Sequence, residues 1–401
     1  MKLAIAFPST IRGGAEEHAL TLASAAVKEG WQVYAAFPNT QETASLIEAF
    51  QAVGVDYREL NIADTNVREL KKVGDYLPQL ARTLALLVKI KPDVVQLNLP
   101  YPDRCLGSLL ACGLLKIPTA VVFQLVPPQF SLTPTILKVH AWARKRNQRW
   151  IAISQNNRRL LCDYFQLSQD QLTLIYNGTK IASDANDDSS QEIVKLRDRV
   201  REELGLSKTS KLLLTVGRLS AQKGYHDLIP IVAPIVSEFP EVKFIWVGEG
   251  EKKESLVKQA KLCGVAEHIL FLGYRSDVAR LLKAADLFVF PTYFEGLPFA
   301  PIEALANGLP IVASNASSLP EIVEDKVSGL LFPVGDKEKL LESILWALRN
   351  PEAMQEMACK AKLRARNFSQ EKMIKDYIEV WQALSGKSLS FHYPSKLNNE
   401  G

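Results

Sequence analysis

Two doubly wound α/β domains are predicted for this chain, on three observations. The 401 residues are 47% hydrophobic and 23% charged, too many for one ordinary core and ordinary enough in composition to be globular. Short β-rich runs alternate with helical patterns through the first half, the order of parallel βαβ winding. The same alternation restarts after a polar break, and no low-complexity tract or fixed-period repeat interrupts either half.

The first run, Leu3-Ala4-Ile5-Ala6-Phe7, stays apolar only briefly before Arg12 and Gly13. It reads as a short buried strand rather than a signal peptide or an anchor. A helix follows, with Ala15, Ala19, Leu22, Ala23, Ala26 and Val27 at helical spacing and Gly30 just past its end, so its apolar face lies on a sheet. Further strands are expected near 32–37, 55–60, 94–98, 119–125, 150–153 and 172–175, which makes 1–182 the first domain. The polar stretch 183–190 reads as the interdomain linker. In a second domain, 191–367, strands are expected at 211–216, 242–247, 269–272, 287–290 and 311–314. Its helices start at Tyr225, Glu251 and Asp277, with another near 301–307. Helical segments at 337–350, 351–367 and 370–385 close the chain, the last expected to return to the first domain, and the polar tail 386–401 is expected to be disordered.

Composition removes several function classes. Apolar stretches such as 119–126 and 285–290 fall short of the roughly 18 residues that a membrane-spanning helix needs. Cys105, Cys112, Cys162, Cys263 and Cys359 contain no CxxC pair, so reduced thiols in a cytoplasmic protein are expected, with no zinc or redox disulfide. Residues 1–180 carry 20 Lys/Arg against 14 Asp/Glu, and residues 181–401 carry 28 against 30. That mild positive excess in the first half fits an anionic acceptor, an anionic membrane surface, or no charged partner at all. Within it, residues 141–150 (AWARKRNQRW) crowd Arg144, Lys145, Arg146 and Arg149 between Trp142 and Trp150. The run reads as a peripheral membrane contact or as a solvated helix face. No nucleic-acid-binding fold accompanies it.

The most specific segment runs from Phe290 through Glu295-Gly296-Leu297-Pro298-Phe299-Ala300 to Glu303 and Pro310, a buried strand followed by a loop and a helix. Ligands bind at such carboxyl ends. The amides of Leu297, Phe299 and Ala300 fall where the helix begins, and orphan donors with the helix dipole attract phosphate there. Carboxylates flanking a phosphate would repel it, so the partners that suit Glu295 and Glu303 are hydroxyl groups, which a sugar and a ribose supply. Taken alone, each glutamate favours a purely structural reading, Glu303 as a first-turn acid that stabilises the helix. Between Val216 and Gly224 a second loop carries Arg218 and Lys223 on a glycine-rimmed turn, two cations that suit a diphosphate or simply a solvated basic loop. Gly13-Gly14 at the first strand-to-helix turn allows close backbone approach to a ligand. No GxGxxG occurs, which argues against a dinucleotide-dependent oxidoreductase.

Together these segments resemble the family-4 retaining glycosyltransferases, whose GT-B fold sets two Rossmann-like domains facing a cleft. The resemblance takes in Gly13-Gly14-Ala15, Ile151-Ala152-Ile153-Ser154, Tyr176-Asn177-Gly178, Gly217-Arg218, Lys223-Gly224, Gly248-Glu249-Gly250, Phe271-Leu272-Gly273, the E-x7-E pair Glu295 and Glu303, and Pro320-Glu321-Ile322-Val323. It implies that Glu303 holds the ribose of a nucleotide-diphosphate sugar and that Glu295 touches a donor-sugar hydroxyl. Arg218 and Lys223, helped by the amides of Leu297 and Phe299, would bind the diphosphate. Tyr274 and Arg275 would meet the base, and Gly13 and Gly14 would line the acceptor side. A hexosyl group would pass, with retention, to a sugar, lipid-linked or small-molecule acceptor.

No cofactor is implied, and with no D-x-D in the chain cations and helix N-termini would stand in for a metal. One departure is Val126, which occupies the place of the family's usual histidine. In such enzymes that histidine positions the donor sugar. The departure supports an alternative reading as a catalytically weak nucleotide-sugar-binding relative. His18, His140, His226, His268 and His392 include no evident replacement.

Overall fold

The structure, a computed structural model, describes residues 1–63, 76–181 and 190–386. Most of the expected linker and the tail beyond 386 lie outside them. The strands β1 (Lys2–Ala6), β2 (Gln32–Phe37), β3 (Asp56–Glu59), β4 (Val94–Leu99), β5 (Thr119–Phe123), β6 (Gln148–Ala152) and β7 (Thr173–Leu174) form one sheet. Its order is β3-β2-β1-β4-β5-β6-β7. β1 pairs in parallel with β2 and β4, and β2 with β3. Burial of all six residues of β4 is the mark of a parallel strand covered on both faces. Its two polar side chains answer each other, Gln96 Nε2 donating to Asn98 Oδ1 at 3.0 Å.

A second sheet takes β8 (Lys211–Val216), β9 (Val242–Val247), β10 (Ile269–Gly273), β11 (Leu287–Phe290), β12 (Ile311–Ser314) and β13 (Leu330–Phe332). Every pairing in its order β10-β9-β8-β11-β12-β13 is parallel. The chain is thus a pair of parallel-sheet α/β domains, as predicted. Trp246 anchors the second core, edge-on to Tyr225 and Phe271. Asp286, just before β11, accepts from Arg201 Nη2 (2.8 Å) and the Leu212 amide (2.7 Å) and pairs with Arg197. Those contacts tie the helix Ser190–Glu203 to the start of the sheet.

Two compact units emerge. The first takes in the described residues of 1–122, 132–151 and 374–386, and the second those of 123–131 and 152–373. In the first, the helix Gln370–Ser385 brings Tyr377 and Trp381, both fully buried, edge-on to His18 and Trp31. Aromatic rings buried this way contribute much of a core's apolar area.

Candidate active site

In an open parallel sheet, the crevice at the carboxyl ends opens where strand order reverses. In the second sheet that point lies between β8 and β11, neighbours with two strands between them in sequence. The residues singled out in the sequence gather there. After β8 come Gly217, Arg218 and Lys223; after β11 come Glu295 and the start of the helix Phe299–Ala306.

Backbone contacts stitch the loops together. The Tyr293 amide donates to Gln222 O (2.8 Å) and Gln222 Nε2 to Phe294 O (2.7 Å). The Leu219 amide donates to Glu249 O (3.0 Å) and the Gly248 amide to Gly273 O (2.8 Å). Gly224 explains one glycine of the pattern. Its φ is +69°, and a Cβ there would stand 1.9 Å from Pro291 O.

Lys223 and Glu295 meet directly, Nζ to Oε1 at 2.5 Å, with side chains only 16% and 7% exposed. Thr292 Oγ1 donates to the same oxygen at 2.7 Å. The lysine stem runs against Gly217, and its ammonium stands 5.1 Å from the Phe290 ring centre. Burial and the Glu295 charge push the Tyr225 phenol above its usual range, and its hydroxyl donates to Gly217 O at 2.9 Å. The Arg218 side chain is exposed and makes no hydrogen bond or ion pair with the described residues, while its backbone carbonyl accepts from the Ser220 amide at 2.8 Å.

The helix Phe299–Ala306 starts at Pro298 with no side-chain cap, and the positive end of its dipole lies at this end of the sheet. Leu297 is buried, and its carbonyl accepts from Asn177 Nδ2 at 2.9 Å. Glu303 is half-buried on the same helix.

Beyond β10, Tyr274 is 62% exposed. The Arg275 guanidinium is committed elsewhere, to Asp277 (2.7 Å twice) and Glu203 (2.9 Å). Those carboxylates push Arg275 further above its usual range, and the Arg275 guanidinium in turn holds Asp277 down at about 2. In the first sheet the reversal falls between β1 and β4, and Gly13 and Gly14 stand at the turn from β1 into the uncapped helix Gly14–Lys28.

Three residues escaped the sequence reading. Thr292 orients the glutamate, Gln222 bridges the loops, and Asp227 accepts from Tyr293 Oη at 2.8 Å. The spacing of Thr292 from Glu295 was the one available signal. Glu321, in the last segment of the resemblance, accepts from the amides of Gln155 and Asn156, both at 2.8 Å. It thereby supplies negative charge to the N-terminus of the helix Gln155–Phe165. Burial and that carboxylate raise Tyr176 to about 12.

Val126 is buried, and the adjoining Gln124 carbonyl would lie 1.9 Å from a Cβ on Gly296. His18 and His140 are buried, with burial lowering them to about 3 and about 4. His226 stacks on Tyr293, His268 lies near Val242 O, and His392 is outside the described residues. In the basic run, Trp150 is core, edge-on to His140. Trp142 is capped by the Arg146 guanidinium, 3.6 Å over its ring.

A family profile described as "Glycosyltransferase Family 4" matches residues 12–182, and one described as "Glycosyl transferases group 1" matches 197–364. The chain belongs to glycosyltransferase family 4. An uncharacterized glycosyltransferase of Haemophilus influenzae is 31% identical over 169 residues, 42% of this chain and 48% of the relative. The chain spans about half the length of this and the next curated relatives it matches. A longer match, 25% identical over 81% of this chain and 85% of the relative, is to an Escherichia coli enzyme. It is named UDP-Gal:alpha-D-GlcNAc-diphosphoundecaprenol alpha-1,3-galactosyltransferase. Among solved structures, HepE of Anabaena in complex with UDP superposes with a TM-score of 0.77 at 20% identity. That match covers 96% of this chain and all of the other. The fold is therefore GT-B.

Among the described residues, no group of three or more His, Cys, Asp or Glu is placed to hold a metal. No helix among them is long and apolar enough to cross a membrane.

Proposed function

We propose that the chain is a retaining glycosyltransferase, moving a hexosyl group from a nucleotide-diphosphate sugar to an acceptor without a metal. The observation that carries this reading is the convergence at the β8/β11 reversal. There a free Arg218, the Lys223–Glu295 pair and an uncapped helix N-terminus bearing Glu303 share one set of loops. Arg218, Lys223 and the amides of Leu297, Phe299 and Ala300 act on the charge that gathers on the departing diphosphate, the interactions that lower a barrier rather than only bind substrate. Glu303 accepts from ribose hydroxyls and Glu295 from a donor-sugar hydroxyl. With Arg275 held by acids, contact with the base falls to Tyr274 and the backbone after β10. Gly13 and Gly14 serve the acceptor.

The names of the relatives point to a uridine nucleotide and to a lipid-linked acceptor, and a polysaccharide precursor is the other acceptor class that fits the reading. An acceptor in a membrane fits the basic run. With Trp150 in the core and Trp142 covered, attraction to anionic lipid comes from Arg144, Lys145, Arg146 and Arg149 and not from inserted indoles.

A second reading, a nucleotide-sugar binder with weak turnover, is favoured by the buried Val126, which offers the donor sugar no ring nitrogen. Incubation with UDP-glucose and UDP-galactose in EDTA, with and without a lipid-linked GlcNAc acceptor, separates the two. Metal-free transfer with an anomer retained in the product's NMR spectrum supports the first reading. Inversion or a strict Mg²⁺ requirement sinks its mechanism, and tight donor binding with neither transfer nor hydrolysis leaves the second.

A further inference from the structure

The Lys223–Glu295 pair gives two residues with separate expected duties a single shared one. Both charges lie mostly out of water and touch each other. The glutamate is held in place by Thr292 Oγ1 on the same oxygen, and no hydrogen bond from the described residues reaches Oε2. A buried ion pair is nearly neutral in effect while closed, and opening it leaves whichever partner is not re-satisfied as an uncompensated charge. Lys223 therefore cannot turn to a diphosphate without exposing Glu295 to that loss, and it brings a second anion beside the first.

A nucleotide that still carries its sugar resolves the difficulty, because a sugar hydroxyl donates to the carboxylate as the ammonium leaves it. A bare nucleoside diphosphate has no such donor. We propose that the Lys223–Glu295 pair discriminates the sugar-bearing donor from the spent nucleoside diphosphate, opening for the first and re-forming against the second to expel it. Once the sugar has gone to the acceptor, Glu295 loses its hydroxyl partner, recaptures Lys223 and withdraws a cation from the product. The inference rests on the donor-binding reading above and deepens it, since there Lys223 and Glu295 act independently.

Calorimetry with UDP, and with GDP and ADP in parallel, on wild type, Glu295→Gln, Lys223→Gln and the double variant tests it. Glu295→Gln should bind the nucleoside diphosphate about tenfold more tightly than wild type, the value of one charge-assisted contact released to the ligand. It should bind the sugar nucleotide more weakly. In the Lys223→Gln background, the Glu295→Gln change should alter diphosphate affinity less than about twofold. An equal gain in both backgrounds would mean simple repulsion by Glu295 and would overturn the pairing. So would unchanged or weaker binding by Glu295→Gln while Lys223→Gln weakens it, a result that leaves the donor site intact. If Lys223→Gln leaves the affinity for the sugar nucleotide unchanged, or no nucleotide binds wild type, the donor-site reading fails as well. Thr292→Val, which loosens the carboxylate while keeping every charge, covers the case in which Glu295→Gln does not fold. It should shift diphosphate affinity in the same direction by about twofold, and a shift the other way counts against the proposal.

Discussion

Alanine at position 224 probes whether the two loops at the strand reversal are held in fixed register. Gly224 has φ +69°, and an L-residue in that conformation costs roughly 1–2 kcal/mol. The added methyl would stand 1.9 Å from Pro291 O, against a backbone carbonyl that cannot swing aside, so one loop must move bodily. Overpacking of that kind costs about 1–3 kcal/mol, which brings the expected loss to about 2–5 kcal/mol for Gly224→Ala. The displacement falls directly on function, because Lys223 precedes the glycine and Glu295 closely follows Pro291. A 1 Å misplacement of reacting groups is worth about a hundredfold in rate. Urea denaturation should show the midpoint falling, and initial rates on the folded fraction should fall by at least about tenfold. Wild-type turnover in a destabilised Gly224→Ala protein would refute the claim that this contact sets the Lys223–Glu295 geometry. Undiminished stability would refute the clash itself.

Arg218→Ala, which removes an exposed side chain without a partner among the described residues, should leave the melting temperature unchanged and cut turnover by more than about tenfold; normal turnover contradicts its place at the diphosphate. His18 and His140 are kept neutral by burial, at about 3 and about 4. The unfolded chain binds protons at both from its ordinary value near 6.5 downward while the native state does not, so stability is full above that value and declines as pH falls toward 4. The expected slope is up to about 1.4 kcal/mol per pH unit per histidine. His140→Gln should flatten the denaturation free energy against pH, and an unchanged slope counts against neutral burial. Serine at Arg144, Lys145, Arg146 and Arg149 should weaken binding to phosphatidylserine liposomes by about 1 kcal/mol per cation; equal co-sedimentation of variant and wild type removes the membrane contact.

Much of this molecule was legible in its residues. The strands expected near 32–37, 211–216, 242–247, 287–290 and 311–314 match β2, β8, β9, β11 and β12, because uninterrupted apolar runs between turn residues are what a doubly covered parallel strand requires. The run expected to extend from 119 to 125 ends at Phe123, where the chain leaves the sheet and Gln124 meets Gly296. β13, three residues between Gly329 and Pro333, was missed, since so short a run has no periodicity to read.

At the site, the roles attached to single residues could be placed on loops, but their partnerships could not. Lys223 and Glu295 are 72 positions apart and meet only because β8 lies beside β11. The commitment of Arg275 to Glu203, also 72 positions away, depends likewise on packing. Trp150 reads in sequence both as the start of a strand at 150–153 and as the rim of a basic run; it is a core residue, because the alternation that buries it belongs to β6.

The central claim, a nucleotide-sugar donor site at the carboxyl ends of β8 and β11, is tested most directly by calorimetry of Glu303→Gln. The substitution keeps the shape of the side chain on the helix Phe299–Ala306 and removes the charge that would accept two ribose hydroxyls. A loss of about tenfold or more is expected for UDP and for UDP-glucose alike, since both carry the ribose. Affinity for both ligands equal to that of wild type, in a variant that melts normally, would contradict the account.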